Sequence, residues 1–395
     1  MSASNTSGST SIDRAADEDN KKSGVTTILL LTLALLSAVA PFATDLYLPA
    51  FPQIAGDLHT SATSVQLTLT SFLIGLTLGQ LVFGNLSDRF GRRGPLIIGA
   101  TLCVAAGVVA VIAPSTAILV AARFFQGFGG AAGMVIGRAV ISDLADARQA
   151  ARTFSLLMIV GGVAPVIAPL LGGVLVDPIG WRGILGVVLA ISVLMLVSII
   201  TVVHETLPPE RRHSRANAHS ASVRSPLRTP QFLWYSITFA FAFAVMISYI
   251  SASPFVYQVM MGISSSVYGL MFGINAFGLM FVGSLAARFA AKWPLRTIVA
   301  CGLAAMGSAV AVFCILVATG VPAIWLALPL FVCVSSFGLI FGTVTGLAMD
   351  AARSASGAAS AILGALQFGL AALASPLVSI HGSHTAGPLA VVMAT

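Results

Sequence analysis

Asp45 stands alone among apolar neighbours. Pro41-Phe42-Ala43-Thr44 precede it, Leu46-Tyr47-Leu48-Pro49 follow it, and every other acid falls in a tail, a loop or the end of an apolar run. A carboxylate in hydrocarbon costs several kcal/mol unless it is paired or protonated. A site that is alternately dry and wet therefore takes up and releases a proton, which is the chemistry of proton coupling. The competing reading is an acid at a helix end that faces water. Arg123 is the matching cation, about seven residues or ~10 Å into its own apolar run, against about six residues or ~9 Å for Asp45. Such a pair is neutral when the acid is ionised and leaves a lone arginine when it is protonated, so Asp45 and Arg123 are expected to couple protons together. The alternative for Arg123 is an arginine that only bonds backbone carbonyls.

A second charged group lies in Gly84-Asn85-Leu86-Ser87-Asp88-Arg89-Phe90-Gly91-Arg92-Arg93. An acid ending a helix beside three guanidinium groups can make and break ion pairs, with Asp143 at the end of another run as partner for Arg92 or Arg93. Gly84, Asp88, Arg89, Gly91, Arg92, Arg93 and Asp143 form the expected gate, holding the inner side closed when the outer side is open. Charge anchoring alone accounts for the arginines but not for Asp88 or the glycines. In Gly161, Gly162, Pro165, Pro169, Gly172 and Gly173, small residues permit close helix contact and prolines kink the backbone, which predicts a seam between two halves. Tyr47, Gln126, Tyr249, Pro254, Tyr257, Gln258, Asn275 and Gln367 are candidate contacts of a mainly apolar, aromatic substrate cavity, although each polar one singly reads equally well as an interhelical hydrogen bond.

What must position these residues is a bundle of membrane helices. Only 8% of the 395 residues are Asp, Glu, Lys or Arg and 57% are hydrophobic, with mean hydropathy +0.98, whereas a water-soluble surface needs roughly 25–35% charged residues. A soluble enzyme is excluded. The net charge of +7 does not signal nucleic acid, because the basic residues sit in short loops between apolar runs rather than on one face. The four cysteines lie inside apolar runs without metal-like spacing, and no metal site is expected.

A crossing takes about 20 apolar residues. Eleven runs qualify: 25–51, 64–84, 95–113, 116–140, 153–176, 183–203, 231–257, 264–289, 295–319, 322–347 and 356–380. A twelfth begins at Gly387 and the sequence stops at Thr395, so a truncated last helix is expected. With the N-terminus cytoplasmic, all of the 20 Lys and Arg except Arg123 and Arg182 fall on the cytoplasmic side, as orientation by positive charge requires. Gly84, Leu86, Arg89, Phe90, Arg93, Pro95 and Leu96 recur at a constant offset as Gly283, Leu285, Arg288, Phe289, Lys292, Pro294 and Leu295. This internal repeat predicts an all-α membrane protein of two six-helix halves around a central cavity. The expected organisation is a disordered cytoplasmic tail (1–24) without a signal peptide, a first half (25–203), a basic cytoplasmic linker (204–230) and a second half with an incomplete last helix (231–395).

These motifs resemble the major facilitator superfamily and, within it, the bicyclomycin/chloramphenicol resistance (Bcr/CflA) branch of drug:proton antiporters. Thr44-Asp45-Leu46-Tyr47-Leu48-Pro49-Ala50 looks like that branch's first-span signature, Asp88 to Arg93 like the superfamily loop, and Arg123-Phe124-Phe125-Gln126-Gly127 like the fourth-span motif. The fifth-span Gly/Pro pattern resembles the antiporter motif. Glu205-Thr206-Leu207-Pro208-Pro209-Glu210-Arg211 and Ser253-Pro254-Phe255-Val256-Tyr257 look branch-specific. The resemblance implies the major facilitator fold, proton coupling through Asp45 and Arg123, and export rather than uptake. Gly94 between Arg93 and Pro95, and Ser142 before Asp143, depart from the family pattern in the gate.

The expected function is thus a proton-coupled antiporter that exports small lipophilic drugs or related compounds across the bacterial inner membrane, as a multi-pass monomer in the lipid bilayer. Its partners are a small-molecule substrate and protons, with no nucleic acid and no cofactor beyond the proton gradient. A proton-coupled exporter of a small metabolite, such as an amino acid or polyol, is the alternative, but polar cargo calls for several converging polar groups. An integral membrane enzyme would show a HExxH or nucleophile motif, and an ATP-driven pump a GxxxxGK[ST] motif; the sequence has neither.

Overall fold

Lipid offers a backbone no hydrogen-bond partners, so each long apolar run closes its own bonds as a helix, and polar residues set the ends. The computed structural model describes residues 26–144, 147–207, 229–352, 356–378 and 385–394; the expected tail and most of the expected linker lie outside them. α1 (Thr27–Asp45) begins behind Thr26, whose side chain accepts from the Leu29 amide at 3.3 Å. α2 (Phe51–Asp57) is short, and α3 (Ala62–Phe90) begins behind Ser61, which accepts from Ser64 N at 3.1 Å. α4 (Arg93–Val111), α5 (Thr116–Leu144) and α6 (Ala147–Val202) complete the first group. α7 (Pro230–Pro254) starts behind Thr229 with proline in its first turn, where the missing N–H costs nothing. α8 (Ser265–Phe289) starts behind Ser264, and α9 (Leu295–Thr319) stops at Gly320 with a left-handed φ of 65°. α10 (Ala327–Ala351), α11 (Ser356–Leu377) and α12 (Gly387–Ala394) follow.

Among the described residues nine helical stretches are long and apolar enough to cross a membrane, and Ile362–Leu377 is a shorter apolar helix. Three expected boundaries change. The first run does not stay helical to Phe51: α1 ends at Asp45, and a 3-10 turn (Leu48–Ala50) and α2 follow. Each of these carries a proline in its first turn, the one place in a helix that tolerates a residue without an N–H. The loop expected between the fifth and sixth runs is a single bend at Gly180, where φ is 66° inside α6. The seventh run leaves α-helical geometry at Pro254 and continues as a π-helical turn, Phe255–Met260.

In the first group α1 packs on α6, α3 on α5, and α4 on α5 and α6. In the second, α7 packs on α10 and α11, α8 on α10, and α9 on α10 and α12. The groups meet along α6 with α8 and α3 with α11, whereas α1 and α5 do not pack along α7 and α10. Hydrogen bonds described between the groups cluster at one end. Gln66 Nε2 donates to Ser251 O (3.0 Å), Gln258 Nε2 to Pro49 O (3.0 Å), Ser265 Oγ to Asp177 Oδ1 (3.2 Å) and Ser266 Oγ to Gly173 O (3.1 Å). This is the sealed end. The opposite end, which carries Arg92, Arg93, Arg288 and Lys292, is the arginine end.

Candidate functional site

Asp45 is the last residue of α1 and is buried, 6% exposed. The chain has five tyrosines, and four of them, Tyr47, Tyr249, Tyr257 and Tyr268, are fully buried near this end. Tyr268, on α8, lies within electrostatic reach of Asp45. Its hydroxyl pairs with Ser253 Oγ at 3.0 Å, and its ring packs 6.0 Å from that of Tyr257. Asn275 Nδ2 donates to Tyr249 OH at 2.6 Å and to Tyr257 OH at 3.4 Å. The second half thus presents a wall of rings and hydroxyls to a carboxyl group of the first.

Arg123 is fully buried, and it does not pair with Asp45. Because α1 stops at Asp45, its last carbonyls lack helical partners, and Arg123 Nη2 donates to one of them, Ala43 O, at 2.6 Å. Nη1 donates to Gln126 Oε1 at 2.6 Å, and the guanidinium lies 4.4 Å from the ring centres of both Tyr47 and Phe72, a double cation–π contact. Ion pairs among the described residues belong to Arg92. The expected Asp45–Arg123 pair is therefore not formed in this structure; the carbonyl-bonding arginine is what the geometry shows.

The other candidate contacts divide. Tyr47 OH pairs with Thr68 Oγ1 at 2.9 Å, and Gln126 is held by Arg123. Gln258 ties the two groups together through Pro49 O. Pro254 is buried at the start of the π-helical turn that carries Tyr257. Gln367 is half-buried on α11 and is joined to the cluster by no described hydrogen bond. Sequence reasoning missed Tyr268, whose signal was the rarity of tyrosine. It also missed an aromatic wall of Phe239 and Phe243 on α7 with Phe337 and Phe341 on α10, where Phe239 lies 5.5 Å from Phe341 and Phe243 6.1 Å from Phe337. The i, i+4 spacing within each pair was the legible sign.

At the arginine end, Gly91 takes φ 94°, which ends α3 and turns the chain at once into α4, a conformation that favours glycine. The turn drops Arg92 inward, its side chain 2% exposed. Arg92 Nε donates to Asp143 Oδ2 at 2.8 Å, and Nη1 donates to Asp88 Oδ1 at 2.7 Å and to Ser87 Oγ at 2.9 Å. Burial pushes the Arg92 pKa down, but the hydrogen bonds and charges of Asp143 and Asp88 outweigh it and leave it raised, so Arg92 stays a cation. Glu205 completes the knot. Its Oε1 accepts from Arg92 N (2.8 Å) and Leu207 N (2.9 Å), and its Oε2 from Arg93 N (3.3 Å), which places a carboxylate on the positive end of α4. Arg93 turns away to Ile200 O at 3.1 Å, Arg89 is exposed, and Gly84 packs near Val135. The described partners all belong to the first half. The network braces α3, α4, α5 and the end of α6 to one another, and it contains the expected Arg92–Asp143 link.

At the seam, a side chain on Gly172 would collide with Leu46 O, and one on Gly173 with Ser265 O and Gly269 Cα. These two glycines let α6 touch α1 and α8 at backbone distance. Pro165 and Pro169 lie inside α6; Gly161 and Gly162 are helical, and their packing lies outside the described side chains. Among the described residues no group of His, Cys, Asp or Glu could hold a metal ion.

The family described as Major Facilitator Superfamily matches residues 33–376. The chain is 36% identical over 368 residues to the uncharacterized MFS-type transporter YdgK of Bacillus subtilis, covering 92% of this chain and 91% of that one. It is 30% identical over 370 residues to a bicyclomycin resistance protein homolog of Haemophilus influenzae, covering 93% of each. Its fold is similar to the crystal structure of a D-xylose-proton symporter, with TM-score 0.73 and 16% identity over 93% of this chain and 95% of that one.

Proposed function

Because the chain belongs to the Major Facilitator Superfamily, whose members are multi-pass membrane transporters rather than enzymes, we propose that it exports small lipophilic compounds, drugs among them, in exchange for protons across the bacterial cytoplasmic membrane. The observation that carries this reading is Asp45, a buried carboxyl group at the meeting of the two halves with no described ion-pair partner. An ionised carboxylate is costly there. A bound proton favours the sealed arrangement, and its loss favours opening that end to water. The arginine end is cytoplasmic, following the positive charge, so cargo enters where the proton leaves. The aromatic and amide lining suits cargo with a large apolar body and few polar groups, and the name of the Haemophilus relative supports a drug-like class. One proton moving inward across 100 mV supplies ~2.3 kcal/mol, roughly fiftyfold concentration of a neutral cargo. The protein works as a monomer and needs no cofactor.

Liposomes containing the purified chain, with a pH gradient imposed and ethidium as probe, test this. Gradient-driven accumulation that a protonophore collapses is the expected result; ethidium movement indifferent to the gradient would overturn the reading.

A further inference from the structure

Three cations sit on and beside the turn that joins α8 to α9. Beyond Phe289 the chain makes one more helical turn, closed by Ala290 N to Ala286 O (2.9 Å), Lys292 N to Phe289 O (2.9 Å) and Trp293 N to Phe289 O (2.8 Å). That turn sets two ridges side by side, because residues four apart share a helix face. Arg288 and Lys292 form one ridge, and both are exposed. Phe289 and Trp293 form the other, 39% and 51% exposed, with ring centres 5.5 Å apart and planes 19° from parallel. Arg296 opens α9, and its Nε donates to Tyr235 OH at 3.0 Å. This fixes a third guanidinium against the start of α7, where Trp234 is 68% exposed.

Charge anchoring asks only that cations lie on this side of the membrane; it does not ask that they adjoin stacked rings. Like charges at i, i+4 repel, and no ion pair among the described residues relieves Arg288, Lys292 or Arg296. An anion between the first two would. Indole rings settle at the depth of the lipid headgroups, which brings the neighbouring cations level with lipid phosphate. An acidic protein would meet the cations and leave the rings uncovered, whereas a phospholipid covers both, with its phosphate on one ridge and its glycerol and upper chains on the other. A zwitterionic headgroup already supplies a cation to its own phosphate. A headgroup with net negative charge does not, and basic pockets between helices on this side of a membrane take such lipids.

We propose that the turn between α8 and α9 binds one anionic phospholipid, its phosphate between Arg288 and Lys292 and its chains over Phe289 and Trp293. The proposal does not depend on what the protein carries.

The test is tryptophan quenching in phosphatidylcholine nanodiscs that contain, as a minority lipid, either phosphatidylglycerol or phosphatidylcholine with brominated chains. The chain has four tryptophans; Trp181 is 1% exposed and out of reach of lipid, while Trp325 is 62% exposed near the sealed end. In a protein with Trp234→Phe and Trp325→Phe, Trp293 is the lipid-facing reporter; with Trp234→Phe and Trp293→Phe, Trp325 is the control. Brominated phosphatidylglycerol is expected to quench Trp293 at a lower mole fraction than brominated phosphatidylcholine, by roughly fivefold for each cation that meets the headgroup. The two lipids are expected to quench Trp325 equally. Arg288→Gln combined with Lys292→Gln is expected to bring the two lipids level at Trp293. Should that combination fail to fold, Lys292→Gln alone decides, with the preference falling about fivefold. Equal quenching of Trp293 by both lipids overturns the proposal, as does a preference that survives these substitutions. An equal preference at Trp325 also overturns it, because anionic lipid would then gather around the whole chain.

Discussion

The two copies of the repeated loop end in opposite conditions. In the first, Arg92 is buried between Asp88 and Asp143, and Glu205 caps the following helix. In the second, the positions equivalent to Asp88 and Arg92 are Ala287 and Ala291, and residues 286–294 are exposed from Ala287 onward. The second copy keeps Arg288 and Lys292 and therefore the positive charge that orients a membrane helix, and no ion pair among the described residues ties these two to a neighbouring helix. Orientation needs only charge on the correct side, whereas bracing needs a buried cation between two acids, with a third acid on the amides that begin the next helix. The first half, which also carries Asp45, is thus tied into one body, and the second contributes the wall of rings against which that body seals.

Three substitutions sharpen or break this comparison. Arg92→Ala removes the buried guanidinium from between Asp88 and Asp143. Removing one partner of a buried ion pair costs about 3–5 kcal/mol, so thermal unfolding in detergent is expected to fall sharply and transport with it. Glu205→Gln keeps an acceptor for the amides but removes the charge at the start of α4. A loss of about 1 kcal/mol is expected, as for an anion at a helix N-terminus, visible as a modest fall in melting temperature with transport retained. Lys292→Ala in the second copy touches no described partner and is expected to change stability by less than about 0.5 kcal/mol. Equal melting-temperature losses for Arg92→Ala and Lys292→Ala would erase the distinction between the copies.

Much of the architecture was legible because hydrocarbon imposes it. The apolar runs become helices, and Asp143 stands with Arg92 as the charge pattern suggested. The missed features depend on backbone atoms that no residue pattern displays. Glu205 acts on amides more than 110 positions away in the chain. Arg123 finds the Ala43 carbonyl because α1 stops at Asp45, two residues further on, and a run read as continuous to Phe51 hides that end. Gln258 bonds the Pro49 carbonyl for the same reason: the prolines that break the first run expose a carbonyl to the other half. Tyr268 needed the knowledge that α8 crosses beside α1's end.

The central claim is that Asp45 alone carries the exchanged proton, since Arg123 is engaged elsewhere. Ethidium counterflow and pH-driven ethidium accumulation, measured side by side in liposomes with Asp45→Asn, address it most directly. Counterflow needs only the rocking of the halves around bound cargo, so it is expected to persist near the unsubstituted rate, while pH-driven accumulation falls to the level seen with a protonophore. Undiminished pH-driven accumulation by Asp45→Asn would contradict the account.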